Sequence, residues 1–76
     1  MNADEKLAYM ANQMAKFFVT QGEDRAPASI ADHIEKYWNP DMRADFLAAA
    51  AKDSSNLLPA VKAALPLLRA PQDSQA

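Results

Sequence analysis

One histidine and its neighbouring carboxylates are the side chains in this sequence whose types could support acid–base chemistry or bind a metal. His33 follows Asp32 and lies two residues before Glu35. Adjacent residues on a helix do not face each other, so Asp32 cannot orient the imidazole of His33. The chain has no cysteine and no second histidine, so a zinc site or a Cys-His or Ser-His nucleophile lacks its other members. The pattern favours a His33 that packs beside Ile30 and Tyr37 on the flank of a helix.

A second pair of carboxylates, Asp41 and Asp45, has the i, i+4 spacing that places both on one helical face. Both could contact one ion, but carboxylates on a short helix are usually solvated. The sequence contains no Gly-rich phosphate loop, GxSxG or HExxH motif. The residues therefore predict no catalytic or metal site, and they favour a small helical interaction domain.

Arg43 is a cation near the start of a predicted helix, where the helix dipole disfavours positive charge. Its helical angle places it among the apolar residues Phe46, Leu47 and Ala50. Its stem could pack while its head reaches solvent, or its head could meet carbonyls at the end of helix one or four, or a group of a partner. We expect Arg43→Leu to leave the free chain helical, or to stabilise it, and to weaken association with a partner.

The outer face of the first predicted helix is neutral apart from one lysine and carries a tyrosine and two carboxamides. Interfaces are enriched in aromatic residues and depleted of charge, so this face resembles one, although ordinary solvent-facing surface is the alternative. Trp38, just before the turn between helices two and three, either anchors that junction or faces a partner. The candidate partner-interface residues are Tyr9, Asn12, Gln13, Lys16, His33, Trp38 and Arg43.

Four helices must position these side chains, because alanine is abundant, strand formers are few and there is one glycine. Apolar spacing predicts helices over residues 3–20, 27–38, 40–52 and from about 57, with Pro66 kinking or ending the last. Gly22 suits a left-handed C-cap, and Asn39 followed by Pro40 makes the second link very short. We expect an all-α fold: a small bundle of about four short helices with a tight corner between helices two and three.

The predicted core consists of one apolar stripe per helix. In chain order the stripes are Leu7, Met10, Ala11, Met14, Phe17 and Phe18; Ile30, Ile34 and Tyr37; Met42, Phe46, Leu47 and Ala50; and Leu57, Val61, Ala64, Leu65 and Leu68. These form a single domain over residues 1–69. The polar segment 70–76 is expected to be disordered, because it has too little apolar surface to pack.

Length and charge exclude several classes of protein. With 76 residues, a net charge of -2 and no cysteine, the chain cannot form two domains, a disulfide-rich scaffold or an enzyme with a deep pocket. No apolar run is long enough to span a membrane, and the mild acidity opposes binding to nucleic acid. A DNA-binding module built on the corner is disfavoured because Asp41, Asp45 and Asp53 would face phosphates. The cytoplasm is the expected compartment, and the small core predicts a domain of marginal stability.

Four segments carry a resemblance to a known family: Met10-Ala11-Asn12-Gln13-Met14 with Phe17-Phe18, Ile30-Ala31-Asp32-His33-Ile34, Tyr37-Trp38-Asn39-Pro40-Asp41-Met42-Arg43 and Leu58-Pro59-Ala60-Val61. With these segments the chain resembles, over about residues 6–69, the delta subunit of soluble, NAD-dependent, molybdenum- or tungsten-containing formate dehydrogenases. Tyr37 stands where phenylalanine is expected, Met14 where isoleucine is expected, and the loop 53–56 lacks an expected glycine. These changes conserve apolar volume or lie in a loop.

The resemblance implies a bacterial, non-catalytic accessory subunit that binds no cofactor itself. Its implied partners are a catalytic alpha subunit with a bis-molybdopterin guanine dinucleotide (bis-MGD) centre holding Mo or W and iron–sulfur clusters, a beta subunit whose FMN reduces NAD, and an iron–sulfur gamma subunit. Two roles stay open: a permanent subunit docked on the catalytic subunit, and an assembly factor that binds the immature subunit and leaves.

Overall fold

A computed structural model describes residues 2–68, and these residues form helices and turns without a strand. The helices are α1 (Ala3–Gln21), α2 (Ala26–Tyr37), α3 (Pro40–Lys52) and α4 (Pro59–Ala64), and a 3-10 turn (Leu65–Leu67) follows α4. The predicted all-α class and helix count are confirmed. The predicted polar tail, residues 70–76, lies outside the described residues. None of the described helices is long and apolar enough to cross a membrane.

Two asparagines set the starts of α1 and α3 by capping free backbone N–H groups. The side chain of Asn2 accepts from the Glu5 N–H at 2.8 Å, and the Glu5 carboxylate accepts from the Asn2 N–H at 3.0 Å, which makes a complete capping box. Asn39 accepts from the Met42 N–H at 2.9 Å, and Pro40 occupies the first position of α3. The local sequence therefore fixes both of these helix starts.

Gly22 ends α1, but not by the left-handed cap that its type predicted. Its φ of 147° and ψ of 112° lie outside the left-handed helical region, and its N–H donates to the Val19 carbonyl. The positive φ still explains why glycine occupies this position, since side chains disfavour that conformation. The expected ending at Pro66 is confirmed, because α4 gives way to the 3-10 turn that contains it.

The core lies where α2 packs between α1 and α4, with α3 packing mainly on α1. Ile30 and Ile34 of α2 and Val61 of α4 are fully buried, and Phe46 is 2% exposed. α1 contributes Leu7 together with small side chains, Ala8, Ala11 and Ala15. Alanine at these positions lets the neighbouring helices approach α1 closely.

Two aromatic residues that were predicted to belong to the core are instead at the surface. Phe17 is 60% exposed and Tyr37 is 72% exposed, whereas Met10, Met14 and Phe18 are half-buried at the edge of the core. The alanine side of α1 faces inward, which leaves Phe17 on the outer flank. Tyr37 is the last residue of α2, and the place beside Phe46 is occupied by the residue after it.

That residue is Trp38, which leaves the helix in an extended conformation with φ −92° and ψ 135°. Its side chain is 6% exposed, and its ring meets the Phe46 ring edge to face at 5.4 Å. α2 and α3 otherwise make few contacts along their lengths. The packing of Trp38 on Phe46 therefore contributes strongly to the predicted corner, and it confirms that Trp38 anchors the junction.

Candidate functional site

Four rings from α1 and α2 contact one another in succession at the surface, and we call them the aromatic surface: Phe17, Phe18, His33 and Tyr37. The Phe17 and Phe18 ring centres are 5.3 Å apart, and the Phe18 and His33 centres are 5.9 Å apart. The His33 and Tyr37 centres are 4.6 Å apart. These separations lie within or close to the range in which aromatic rings attract each other. The rings therefore form one continuous aromatic patch across the two helices.

The helix geometry explains which rings face outward. Phe17 and Phe18 are consecutive and so point about 100° apart on α1, Phe18 toward α2 and Phe17 toward solvent. His33 and Tyr37 are one turn apart and share a face of α2. Phe18 and His33 are half-buried, while Phe17 and Tyr37 form exposed ends. A contiguous exposed apolar patch rimmed by polar residues is typical of a protein–protein interface.

The charges closest to this surface on α2 neutralise each other. Lys36 forms an ion pair with Asp32 at 3.2 Å, and both side chains are more than half exposed. Such a pair adds little stability. The Asp32 carboxylate is therefore directed to Lys36, and His33 contacts rings, as the helical spacing predicted.

The hydrogen-bond acceptors of the Arg43 guanidinium are carbonyl groups within the chain, at the end of α2. Its Nη1 donates to the Trp38 carbonyl at 3.0 Å and to the Glu35 carbonyl at 3.4 Å. The predicted receivers at the ends of helices one and four were wrong, because the corner brings the start of α3 beside the end of α2. The Arg43 Nε is buried without a hydrogen-bond partner in the described residues. Arg43 therefore caps α2 and reinforces the corner.

Asn12, a predicted interface residue, forms hydrogen bonds to the loop between α3 and α4 through both the NH2 group and the oxygen of its side-chain amide. Its Nδ2 donates to the Asn56 carbonyl at 2.8 Å, and its Oδ1 accepts from the Leu58 N–H at 3.0 Å. Leu58 precedes α4 and has no side-chain cap of its own. Asn12 therefore positions the start of α4, a role within the fold that the sequence did not predict.

The rest of the predicted outer face of α1 is divided by the structure. Tyr9 and Gln13 are exposed and point away from the core. Lys16 instead lies at the rim of a groove of about 600 Å³ between α1, the start of α2 and α4. The apolar floor of the groove includes Val19 and Leu58. On this face Tyr9 and Gln13 are therefore exposed, Asn12 is held by the loop before α4, and Lys16 borders the groove.

The model of one protein family, described as the NADH-dependent formate dehydrogenase delta subunit FdsD, matches residues 6–65. This match covers most of the 76-residue chain. The chain belongs to the FdsD family. No curated protein and no solved structure matches it.

The FdsD match includes the whole aromatic surface, the Arg43 contacts and both Asn12 hydrogen bonds. It spans α2 and α3 entirely and ends at the start of the 3-10 turn. Within residues 2–68, no group of three or more His, Cys, Asp or Glu side chains could hold a metal ion. Asp53 accepts from the Ser55 N–H at 2.9 Å, and this hydrogen bond lowers the pKa of its carboxyl.

Sequence reasoning did not identify the aromatic surface of this FdsD family member, because it assigned Phe17 and Tyr37 to the core. One signal was available in the sequence. Phe17 lies on the edge of its helical stripe, and the small side chains Ala8, Ala11 and Ala15 define a second stripe on the other side of Leu7. When a helix offers both a small-residue face and a large-residue face, the small face can pack inward and expose aromatic residues.

Proposed function

We propose that this chain is a non-catalytic accessory subunit that docks on the catalytic alpha subunit of the formate dehydrogenase and stabilises the complex. The oxidation of formate to CO2 with reduction of NAD is carried out by the other subunits. The observation that carries this proposal is the aromatic surface on a member of a formate dehydrogenase subunit family.

Three features support the aromatic surface as the docking site. Its two ends, Phe17 and Tyr37, are the most exposed aromatic side chains of the described chain. The ion pair of Lys36 with Asp32 leaves the flank on α2 without an unpaired charge from either residue. Two of the predicted contact residues, Trp38 and Arg43, are occupied within the fold. His33 is the predicted interface residue that lies within the aromatic surface.

In this proposal the chain holds no cofactor. The alpha subunit carries bis-MGD with Mo or W and iron–sulfur clusters, the beta subunit carries FMN and reduces NAD, and the gamma subunit carries an iron–sulfur cluster. The complex is proposed to work in the bacterial cytoplasm. These assignments follow from the resemblance to the delta-subunit family, whose matched region covers α1 to α4.

Purification of the complex through a tag on the alpha subunit tests the proposal. The chain should elute with active enzyme at equal stoichiometry, and omission of its gene should lower the recovered activity. Elution only with cofactor-free alpha subunit would instead indicate an assembly factor that leaves. If the chain is absent from both forms, it is not a docking subunit.

Paired variants test which face docks. Phe17→Ser with Tyr37→Ser should abolish co-elution, whereas Tyr9→Ser should preserve it, because Tyr9 is an exposed aromatic residue outside the aromatic surface. Circular dichroism of each free chain controls for folding. The opposite result, loss with Tyr9→Ser alone, would assign docking to the outer face of α1.

A further inference from the structure

Three side chains that lie one turn from the rings of the aromatic surface are uncharged. On α1, Gln13 precedes Phe17 by one turn and Gln21 follows it by one turn, and both are exposed. On α2, Ser29 precedes His33 by one turn. Charged residues make up 24% of the chain, yet none of these three positions carries one. The nearby Lys36 is paired with Asp32.

The distribution of charge specifies the chemistry of the surface that would cover these rings. A partner carboxylate placed here would lose its hydration and find no Lys or Arg within the aromatic surface. A partner lysine or arginine would gain a cation–π contact with the rings, which is worth less than the desolvation of its charge costs. A partner with apolar side chains would exchange water-exposed rings for buried contacts at no electrostatic cost. Charge complementarity therefore favours a partner surface that is itself neutral.

The size of the surface argues against a second copy of this chain. Phe17 and Tyr37 are 60% and 72% exposed, so together they offer roughly 200–330 Å², given about 150–250 Å² for a full aromatic side chain. A stable interface buries about 800 Å² on each partner. A contact between two copies through these rings alone would therefore bury well under half of that area on each side. The partner must also cover the polar residues around the rings, which the proposed larger subunit can do.

We propose that the aromatic surface binds an uncharged, apolar patch of a larger subunit, through an interface that contains no ion pair. This inference rests on the proposed docking function. It adds the chemistry of the partner's surface, which membership of the delta-subunit family does not specify.

Salt is the first test, applied to the complex bound through a tag on the alpha subunit. Screening weakens ion pairs across an interface and leaves apolar contacts intact or strengthened. The amount of chain retained should change less than about twofold between about 0.1 and 1 M NaCl. If the chain is retained at low salt but released at high salt, the inference of a neutral partner surface is wrong, while the proposed docking function still holds. No retention at either concentration would overturn the docking function itself.

Three substitutions at Phe17 form the second test, because they differ in charge at one exposed position. Phe17→Leu should retain most of the binding, while Phe17→Glu and Phe17→Lys should each reduce affinity by about tenfold or more, whatever the sign. Retention by Phe17→Glu alone would identify a basic partner surface, and retention by Phe17→Lys alone an acidic one. Either result, or equal binding by all three, would overturn the inference.

Light scattering of the free chain completes the test. A monomer over the concentrations used for binding is the expected result. A concentration-dependent dimer that Phe17→Glu abolishes would show that a second copy occupies the aromatic surface, and it would overturn the assignment to a larger subunit.

Discussion

Tyr37 and Trp38 are consecutive in the chain and lie in regions of opposite character. Tyr37 ends α2 and belongs to the aromatic surface at 72% exposure, whereas Trp38 is 6% exposed and packs on Phe46 in the corner. Both are large aromatic residues, so hydrophobicity does not separate them. Their positions on the helix separate them, because Trp38 follows the buried Ile34 by one turn, whereas Tyr37 follows the half-buried His33. The extended backbone at Trp38 then turns the chain into the corner.

Asn12 and Gln13 show the same contrast between polar neighbours. Asn12 binds the loop before α4 with both ends of its amide, and Gln13 is exposed one turn before Phe17. The two pairs teach that a surface-like residue type can hold the fold together, while a core-like type can remain free for a partner. Substituting each of these four residues and measuring the free energy of unfolding tests whether the division also holds for stability.

The largest expected effect comes from the aromatic pair. Trp38→Ala should cost about 3–5 kcal/mol of unfolding free energy, because it leaves a cavity beside Phe46. A single core in a chain of this size rarely supplies more than about 3–5 kcal/mol, so this variant should be largely unfolded or close to it. Tyr37→Ala should change stability by less than about 1 kcal/mol. Thermal denaturation followed by circular dichroism compares them, and equal losses would contradict the division between corner and surface.

The polar pair should give the next largest difference. Asn12→Ala leaves the half-buried Leu58 N–H and the Asn56 carbonyl without their partner, which should cost about 1–3 kcal/mol. Gln13→Ala should stay within about 0.5 kcal/mol. Hydrogen exchange of the Leu58 amide provides a local measurement and should accelerate in Asn12→Ala only. Unchanged protection of that amide would show that the loop holds its position without Asn12.

Because Arg43 has acceptors within the chain, Arg43→Leu should lower stability by about 1 kcal/mol with helical content retained, and not raise stability as the sequence alone suggested. The carbonyls of Glu35 and Trp38 lose a charged donor, and this outweighs the gain from removing the buried, unpartnered Nε. Arg43→Lys keeps a charged donor and should lose less. Urea denaturation of the three chains measures the order. A more stable Arg43→Leu would show that burial of the guanidinium costs more than its two hydrogen bonds return.

The smallest effect concerns Asp53, which lies outside both regions and serves as a reference. The Ser55 N–H lowers the pKa of its carboxyl from 3.8, so the folded state favours the ionised form. This stability is present above the unfolded pKa and is lost as pH falls through the folded pKa. Asp53→Asn should therefore differ slightly from the parent above about pH 5 and converge with it in stronger acid. Melting temperatures across this range would contradict the assignment if the gap widened toward low pH.

The starts of α1 and α3 show what local sequence could predict. The side chains of Asn2 and Asn39 each accept a hydrogen bond from a backbone N–H group three residues later. These helix starts can therefore be predicted without knowledge of any distant contact. The burial of Ile30 and Ile34 could also be predicted, because they lie on the single apolar stripe of α2, and both are fully buried. The positions of Phe17 and Arg43 could not be predicted, since each could be placed only after the neighbouring helix was known.

By itself, the sequence determined the helical class, the short link at Asn39-Pro40 and the resemblance that the FdsD match confirmed. These depend on propensity, caps and residue order, which act over a few positions or along the chain. Only the tertiary structure decided which side of α1 faces inward, where the Arg43 guanidinium finds its acceptors and which rings stay exposed. The physical reason is that packing selects among several apolar faces by fit. The alanine face of α1 admits close neighbours, and that choice leaves Phe17 at the surface in succession with Phe18, His33 and Tyr37.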